Sequence, residues 1–271
     1  MIKTGIVGAA GKMGKTLISL IAESDKLTLS AALEQPGAAA LGRDAGELAG
    51  VVSSGVTITD DLATLADDLD VLIDFTVVPA TVANLEICHG SGTPMVIGTT
   101  GLSEGERARL QEIGQSQPIV FASNYSVGVN ATFQLVEMAA EIFGDSVDIE
   151  IIESHHRHKV DAPSGTAISL GEHVAKALGR DLSEVEIHGR HGMTGARDRA
   201  SIGFHAIRGG EIGGEHTVMF IANGERVEIT HRAQSRANFA EGALRAAAWV
   251  VGKPAGVYDM LDVLGLGATQ I

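Results

Sequence analysis

The feature that most constrains the fold of this chain is a glycine-rich turn near its N-terminus. It reads GAAGKMG over 8–14, a G-x-x-G-x-x-G variant of the dinucleotide-binding fingerprint, and it lies between a predicted strand (4–7) and a predicted helix (12–22). Glycines here let the backbone turn tightly and approach a pyrophosphate, which then lies at the N-terminus of the helix. The motif therefore predicts a Rossmann-type domain and a cofactor site that includes Gly8, Ala9, Ala10, Gly11, Lys12 and Met13.

An acidic residue follows the second predicted strand at the spacing expected of a ribose-binding carboxylate. Strand 27–33 is followed by Glu34, about 20 positions after Gly14, where a carboxylate can accept hydrogen bonds from both ribose hydroxyls of NAD. Gln35 stands where an NADP-specific site would often carry an arginine, although Lys12 could partly compensate. We predict that Glu34 and Gln35 contact the cofactor and that NADH is used at least as well as NADPH. The alternative is a glycine-rich turn beside a solvated Glu34.

The first part of the chain alternates short apolar strands with helices, which is typical of a doubly wound parallel sheet. The predicted strands are 4–7, 27–33, 71–75, 95–98 and 119–122, and the predicted helices are 12–22, 80–89 and 104–115. Ser103 and Glu106 form a capping box for the third helix. Ligands bind beyond the carboxyl ends of such strands, so the cofactor site should also include Gly98, Thr99, Thr100, Ala122, Ser123, Asn124 and Tyr125.

The pattern changes after 125. Two helices are predicted at 126–143 and 165–178, the second with Ser164 as its N-cap. The predicted strands are 147–152, 185–188, 200–208, 215–222 and 226–233, and a last helix is predicted at 239–251. Several of these strands alternate in polarity and are joined by glycine-rich turns, which indicates an antiparallel or mixed sheet. The predicted fold is therefore α/β: a Rossmann-type doubly wound parallel sheet plus a smaller α+β domain with a mixed sheet.

A cluster of basic side chains stands out in a chain whose formal net charge is −14. The segment 153–167 reads ESHHRHKVDAPSGTA, so it places two cations and three histidines together at 155–159. These groups repel one another, and folding alone gives little reason to cluster them. An anionic ligand would supply the counter-charge, and the N–H groups of the helix that begins after Ser164 also favour an anion. The segment predicts a site for a small carboxylate or phosphate.

Two other interpretations of this segment are a solvated loop and a metal site. Three close histidines can bind a metal ion. However, Glu153 and Asp161 do not complete a familiar ligand spacing, and the single cysteine, Cys88, cannot supply a thiolate pair. We predict no metal.

Composition narrows the class of protein. With 45% hydrophobic and 20% charged residues, the chain has the composition of an ordinary globular protein. A single cysteine excludes an internal disulfide and suits a reducing cytoplasm. We expect no signal peptide and no membrane span, because no apolar run approaches ~18 residues. The acidic pI of about 5.1 argues against nucleic-acid binding.

Together these motifs resemble the dihydrodipicolinate reductase family of bacterial and plant lysine biosynthesis. The resemblance covers nearly the whole chain, and the histidine–lysine segment is its most specific part. It is carried by GAAGKMG (8–14), IDFT (73–76), GTTG (98–101), NYSVGVN (124–130), ESHHRHKVDAPSGTA (153–167) and GEHT (214–217).

The resemblance implies NAD(P)H-dependent reduction of 4-hydroxy-2,3,4,5-tetrahydrodipicolinate to 2,3,4,5-tetrahydrodipicolinate with loss of water, in the diaminopimelate route to lysine. It implies a cofactor domain (1–126 and 236–271), and a domain (127–235) that binds substrate and builds a homotetramer. On matching positions, His155 and Lys159 are the catalytic pair, and the substrate carboxylates are bound by His156, Lys159, Gly165 and Thr166. Gln35 departs from the arginine that some members carry.

Two competing functions remain at this point. Another two-domain NAD(P)-dependent enzyme, such as an amino-acid dehydrogenase or a semialdehyde dehydrogenase, would share the cofactor motif. A semialdehyde dehydrogenase would need a nucleophilic cysteine, and Cys88 lies in a predicted helix. A dinucleotide sensor without chemistry would have little need for both His155 and Lys159.

Overall fold

The computed structural model describes residues 1–235 and 237–266, and these form two compact units, each built on its own sheet. Unit 1 comprises 1–127 with 237–266, and unit 2 comprises 128–235. The strands are β1 (Ile2–Val7), β2 (Leu27–Leu33), β3 (Ile58–Thr59), β4 (Val71–Asp74), β5 (Met95–Ile97), β6 (Pro118–Phe121), β7 (Asp148–His155), β8 (Glu186–His188), β9 (Ile202–Arg208), β10 (Glu215–Ile221), β11 (Arg226–Arg232) and β12 (Gly256–Tyr258).

Helices connect most of these strands. They are α1 (Lys12–Ala22), α2 (Ala45–Ala49), α3 (Val78–Ser91), α4 (Glu104–Gly114), α5 (Val127–Phe143), α6 (Gly165–Ala177), α7 (Leu182–Val185), α8 (Ala237–Val250) and α9 (Met260–Leu264). Short 3₁₀ turns lie at Ala66–Asp68 and Gly144–Ser146. Within the described ranges, none of the helices is both long and apolar enough to cross a bilayer.

Unit 1 contains a seven-stranded parallel sheet in the order β12-β6-β5-β4-β1-β2-β3. Helices cover both of its faces. Ile73 packs in a cluster with residues of α1 and α8, whereas its neighbour Leu72 packs in a second cluster with residues of α3 and α4. Burial on both faces explains why these strands are apolar throughout rather than alternating.

Unit 2 contains a five-stranded mixed sheet in the order β11-β10-β7-β9-β8. β10 is antiparallel to β7 and β11, whereas β7, β9 and β8 run parallel. Its core lies on one face of the sheet, where Ile151 and Phe204 pack in a cluster with residues of α5 and α6. The fold class predicted from the sequence is therefore confirmed.

The predictions differ from the structure at short elements and at ends. The two-residue β3, the three-residue β12 and the short helices α2 and α9 were not predicted, because segments this short carry too little periodicity. The predicted strand at 185–188 is wrong at its first residue, since Val185 ends α7 and the strand starts at Glu186. The capping box of Ser103 and Glu106 is present as predicted.

Candidate active site

The parallel sheet brings the predicted cofactor segments to one edge. Val7 is paired with Leu33 on one side and with Asp74 on the other. Asp74 is paired in turn with Ile97, and Ile97 with Phe121. All five strands end at the same level, so the segments that follow them share the carboxyl edge: 8–13, 34–35, 75–76, 98–100 and 122–125. This is where open α/β sheets bind their ligands.

The glycine turn fits the pyrophosphate of a dinucleotide. Gly8 has φ 72°, and a Cβ atom on Gly14 would lie 2.2 Å from the Gly8 carbonyl oxygen, so this close turn requires glycine. Gly11 is the N-cap of α1, and as a glycine it has no side chain to accept a hydrogen bond from the first N–H groups of the helix. The first turn of α1 contains no acidic side chain. The N-terminal N–H groups of α1 therefore remain open to a negatively charged group.

Glu34 lies over this turn. Its Oε1 accepts a hydrogen bond from the Ala10 N–H at 2.9 Å, and its Oε2 accepts one from the Gln35 N–H at 3.1 Å. Each oxygen keeps capacity for a second donor, which a ribose hydroxyl can supply. The Gln35 side chain is exposed and uncharged beside it.

Two of the predicted cofactor residues turn their side chains into the protein. Thr99 is 4% exposed, and its Oγ1 accepts a hydrogen bond from the Thr81 hydroxyl at 2.8 Å. Tyr125 is 1% exposed, and its hydroxyl lies 2.9 Å from the Ile97 carbonyl oxygen and 3.0 Å from that of Val120. Burial raises the pKa of Tyr125. A cofactor would therefore meet these two residues through their backbone.

In unit 2, three neighbouring strands bring polar side chains together. His155 ends β7 and is paired with Arg208 at the end of β9. His216 lies on β10 opposite Glu153 on β7. Lys159 follows in the turn after β7, where its N–H donates to the His156 carbonyl. The strand register therefore gathers residues that are about 50 positions apart in the sequence.

Part of the counter-charge that we assigned to an anionic ligand comes from acidic residues of the fold itself. Glu153 is 1% exposed, and its carboxylate accepts hydrogen bonds from Arg208 (2.7 Å) and from His155 Nδ1 (2.6 Å). Lys159 Nζ donates to Asp161 at 2.8 Å. Within the segment, Glu153 thus pairs with His155 and Asp161 pairs with Lys159, while Arg208 comes from β9. However, Asp161 is exposed, so solvent weakens its hold on Lys159.

The start of α6 lies beside this cluster. Ser164 is the N-cap, as predicted, and its Oγ accepts a hydrogen bond from the Ala167 N–H at 3.2 Å. The same Oγ lies 2.8 Å from His216 Nε2. Burial lowers the pKa of His216 to about 4, so this histidine is neutral at physiological pH. Gly165 and Thr166 form the first turn, where the helix end favours an anion.

Sequence reasoning missed Glu153, Arg208 and His216 as parts of this site. One signal was available for Glu153: it shares the face of β7 with Ile149 and Ile151, both of which are buried, so an acidic residue stands at an inward position. No comparable signal marks Arg208. His216 lies in the GEHT motif (214–217) of the family resemblance, but the motif does not show that it meets Glu153, because that contact depends on the register of strands that are distant in sequence.

The structure gives no support to a metal site at the histidines or to a nucleophilic role for Cys88. Across 1–235 and 237–266, no group of three or more His, Cys, Asp or Glu side chains is arranged to hold a metal ion. Cys88 is completely buried in α3, and burial raises the pKa of its thiol to about 12. Such a thiol is a poor nucleophile at neutral pH.

The two units define the class of protein: a Rossmann-type, pyridine-nucleotide-dependent oxidoreductase. The family model described as dihydrodipicolinate reductase, N-terminus, matches residues 2–125, and the model for the C-terminus matches residues 128–264. Curated 4-hydroxy-tetrahydrodipicolinate reductases of Acinetobacter baumannii strains ACICU and AYE are 56% and 55% identical over 269 residues, covering 99% of this chain and 98% of each relative. The chain belongs to the dihydrodipicolinate reductase family, which confirms the prediction from its motifs.

Solved structures agree with the fold. A dihydrodipicolinate reductase from Paenisporosarcina sp. TG-14, described as dipicolinate bound, matches with a TM-score of 0.79 at 24% identity, covering 97% of this chain and 98% of that one. An amine dehydrogenase from Mycobacterium smegmatis matches with a TM-score of 0.58 at 13% identity, covering 94% of each chain. At these identities the likeness concerns the fold alone.

Proposed function

We propose that this protein reduces 4-hydroxy-2,3,4,5-tetrahydrodipicolinate to 2,3,4,5-tetrahydrodipicolinate with loss of water, using NAD(P)H, in the diaminopimelate route of lysine biosynthesis. The observation that carries the proposal is the segment at the end of β7. There His155 shares the Glu153 carboxylate with Ser164, the N-cap of α6, and His156 and Lys159 lie in the turn that follows the strand. The substrate is a ring with two carboxylates, and cations beside helix N–H groups are what such a ligand needs. Full-length relatives at 56% identity carry the name of this activity.

In this proposal, different residues of unit 2 bind the substrate and transfer the proton. His156 and Lys159, with the first-turn residues Gly165 and Thr166, bind the substrate carboxylates. The cofactor, when bound, would supply the hydride that ring carbon 4 of the unsaturated intermediate accepts after loss of water. The adjacent ring carbon then needs a proton, and Lys159 is the group we assign to donate it. His155 acts beside it, as a proton shuttle or as a hydrogen-bonding electrophile.

Unit 1 binds the cofactor in this proposal, through the residues that follow its strands: Gly8, Ala9, Ala10, Gly11, Lys12, Met13, Glu34, Gln35, Gly98, Thr99, Thr100, Ala122, Ser123, Asn124 and Tyr125. The domain limits in this proposal are 1–126 with 236–271 for the cofactor and 127–235 for the substrate. The described residues divide into two units one position later, between 127 and 128, and residues 236 and 267–271 lie outside the described part of the chain. NADH is used at least as well as NADPH, because a 2′-phosphate would meet the Glu34 carboxylate beside an uncharged Gln35.

We also propose that the protein is a cytoplasmic homotetramer. The helices of unit 2 cover one face of its sheet, and the opposite face presents apolar side chains of Ile152, Ile207 and Met219. Ile207 is half exposed. A second copy of the chain would bury these side chains. A pathway that uses free metabolites and a chain with one buried thiol both suit the cytoplasm.

Turnover tests the function directly. Substrate is generated from pyruvate and aspartate semialdehyde by the preceding synthase, and loss of the ultraviolet absorbance of NADH or NADPH is followed with and without that synthase. We expect rapid, synthase-dependent oxidation, with kcat/KM for NADH at least equal to that for NADPH. No turnover by protein that still binds NADH would contradict the reaction, and a clear NADPH preference would contradict the role given to Gln35. Light scattering on the same preparation tests the tetramer.

A further inference from the structure

We infer that Glu153 is a positioning residue that holds His155 in one tautomer, with its proton on Nδ1, and so presents Nε2 as the working atom of this histidine. The inference rests on the proposed function, in which His155 takes part in the reaction. It is carried by the geometry of a carboxyl group that is 1% exposed and is surrounded by hydrogen-bond donors.

The partners of Glu153 determine which atom carries the proton. Its Oε1 accepts hydrogen bonds from the Ser164 N–H at 3.1 Å and from Arg208 Nη2 at 2.7 Å, and neither of these groups can accept. Its Oε2 accepts from Arg208 Nη1 at 2.7 Å and lies 2.6 Å from His155 Nδ1. Burial acts to raise the pKa of Glu153, but the hydrogen bonds from Arg208 and His155 outweigh it, so the pKa lies below its usual range. An ionised carboxylate only accepts, so His155 Nδ1 must donate.

The other ring nitrogen of His155 is left accessible by a glycine. A Cβ atom built on Gly214 would lie 3.1 Å from His155 Nε2, closer than most Cβ contacts in proteins. Gly214 has φ 136°, a conformation that favours glycine. The ring itself packs edge-on against His216 at a centroid distance of 5.2 Å. The ring of His155 is held by its contact with His216 and by the hydrogen bond between Nδ1 and Glu153. Because Gly214 has no side chain, space remains beside Nε2.

Glu153 also ties the histidine to the substrate-binding helix. The oxygen that accepts from Ser164 N–H holds the residue that caps α6, so the same carboxylate positions His155 and the first turn with Gly165 and Thr166. Arg208 adds a further tie, because its Nη2 also donates to the Asp161 carbonyl, two residues after Lys159. One buried group thus orients the residues assigned to proton transfer and to carboxylate binding.

Glu153→Gln is the sharpest test, because the amide cannot satisfy the same partners. Its NH₂ group must replace one carboxylate oxygen, and Arg208 and the Ser164 N–H can only donate. His155 is the one partner of Glu153, within 1–235 and 237–266, that can turn from donor to acceptor. The substitution should therefore move the His155 proton from Nδ1 to Nε2. In a Ser-His-Asp triad the wrong tautomer lowers kcat by about 10⁴-fold.

Glu150→Gln provides a matched control. Glu150 lies on the same strand, is 8% exposed, and accepts hydrogen bonds from Arg190 and Arg197 while lying 2.8 Å from His205 Nε2. The control removes the same kind of buried carboxylate beside a histidine and two arginines, none of which is assigned to the reaction. We expect it to lower thermal stability and to leave kcat nearly unchanged.

The measurements are the histidine tautomers by ¹⁵N NMR of the free protein, and kcat, substrate KM and NADH Kd for the variants. We expect an Nδ1–H His155 in the wild type, an Nε2–H His155 in Glu153→Gln, and a loss in kcat of about 10- to 10³-fold with NADH Kd unchanged. Glu153→Asp, which keeps the carboxylate, should recover the tautomer and part of kcat. An Nε2–H tautomer in the wild type, or Glu153→Gln affecting only stability as Glu150→Gln does, would overturn the inference. Because the wild-type tautomer is read without substrate, a wrong substrate assignment would show separately, as absent wild-type turnover.

Discussion

Each unit holds a buried carboxyl group at or near the end of a strand beside its candidate site, and the two groups have opposite kinds of partner. Asp74 in unit 1 accepts hydrogen bonds from the backbone and hydroxyl of Thr76 and from the side-chain amide of Asn84. Glu153 in unit 2 accepts them from Arg208 and His155, in addition to a backbone N–H. Within the described ranges, the hydrogen-bond partners of Asp74 are uncharged, whereas Glu153 is held by groups that carry or can carry positive charge.

The proposed function accounts for this difference by what each site binds. A dinucleotide can be bound by backbone N–H groups at the start of α1, so the residues around it need orientation more than charge. A small dicarboxylate needs cations close to its reacting atoms. Cations that are held in place inside a protein need a buried anion, since an unpaired buried charge is strongly destabilising. Glu153 is the anion that pairs with Arg208 in unit 2, and the same carboxylate accepts the hydrogen bond from His155.

Lys159→Ala should have the largest effect, and it tests whether chemistry belongs to unit 2. Losing a general acid typically lowers the rate by about 10²- to 10⁴-fold, so we expect kcat to fall by that amount while NADH Kd stays the same. Stopped-flow or steady-state NADH oxidation measures the first, and fluorescence titration measures the second. Lys176→Ala is the control, because Lys176 is an exposed lysine of unit 2 that pairs with Glu137. If NADH affinity collapsed in Lys159→Ala, Lys159 would face the cofactor and the division between the units would be wrong.

The two sites differ in how far the sequence could predict them. The cofactor edge can be predicted from local sequence, because each of its segments follows its own strand. GAAGKMG and Glu34, which lie within about 30 residues of each other, are enough to predict it. His155, Lys159 and the Ser164 cap are local in the same way. Arg208 is not, because it reaches Glu153 only through the parallel pairing of β7 with β9. Nothing along the sequence gives that register, since it depends on which strands become neighbours.

Acid should weaken unit 2 through His216, with the next largest effect. Burial lowers its pKa from 6.5 to about 4, so below pH 6.5 the unfolded chain takes up a proton that the folded chain refuses. Stability present above pH 6.5 is therefore lost as the pH falls towards 4, by about 3 kcal/mol in total.

Denaturant unfolding across this pH range, followed by circular dichroism and by hydrogen exchange of the β10 amides, measures that loss. His216→Asn should reduce the slope, whatever its effect on stability at neutral pH. The remaining slope should come from His231, whose pKa burial also lowers, and from the carboxyl groups of Glu150 and Glu153, whose pKa values lie below their usual range. Trp249, the single tryptophan, lies in unit 1 and its fluorescence reports on that unit. If His216→Asn left the pH dependence at β10 unchanged, burial of this imidazole would not be the source of the acid sensitivity.

Asp74→Asn should have the smallest effect, and it tests the other side of the comparison. The new NH₂ group would take the place of Oδ2, which accepts a hydrogen bond from Asn84 at 2.9 Å. Asn84 can rotate its own amide so that its oxygen accepts the new hydrogen bond. The other oxygen keeps the donors of Thr76. We therefore expect a loss of about 1–2 kcal/mol in the free energy of unfolding, a weaker NADH Kd, and an unchanged kcat at saturating NADH.

The double variant Asp74→Asn/Asn84→Asp exchanges carboxyl and amide and should recover part of the lost stability, because one acceptor and one donor again face each other. Calorimetry and NADH titration measure both variants beside Glu153→Gln. A group with uncharged partners can be replaced by an amide with local adjustment. Among the residues that the structure describes, the hydrogen-bond partners of Glu153 are Arg208, the Ser164 N–H and His155, and of these His155 alone can change from donor to acceptor. If Asp74→Asn lowered kcat as much as Glu153→Gln, the two carboxyl groups would have the same role although their partners differ. The charge of the partners would then not explain why one carboxyl group orients a cofactor and the other controls a proton.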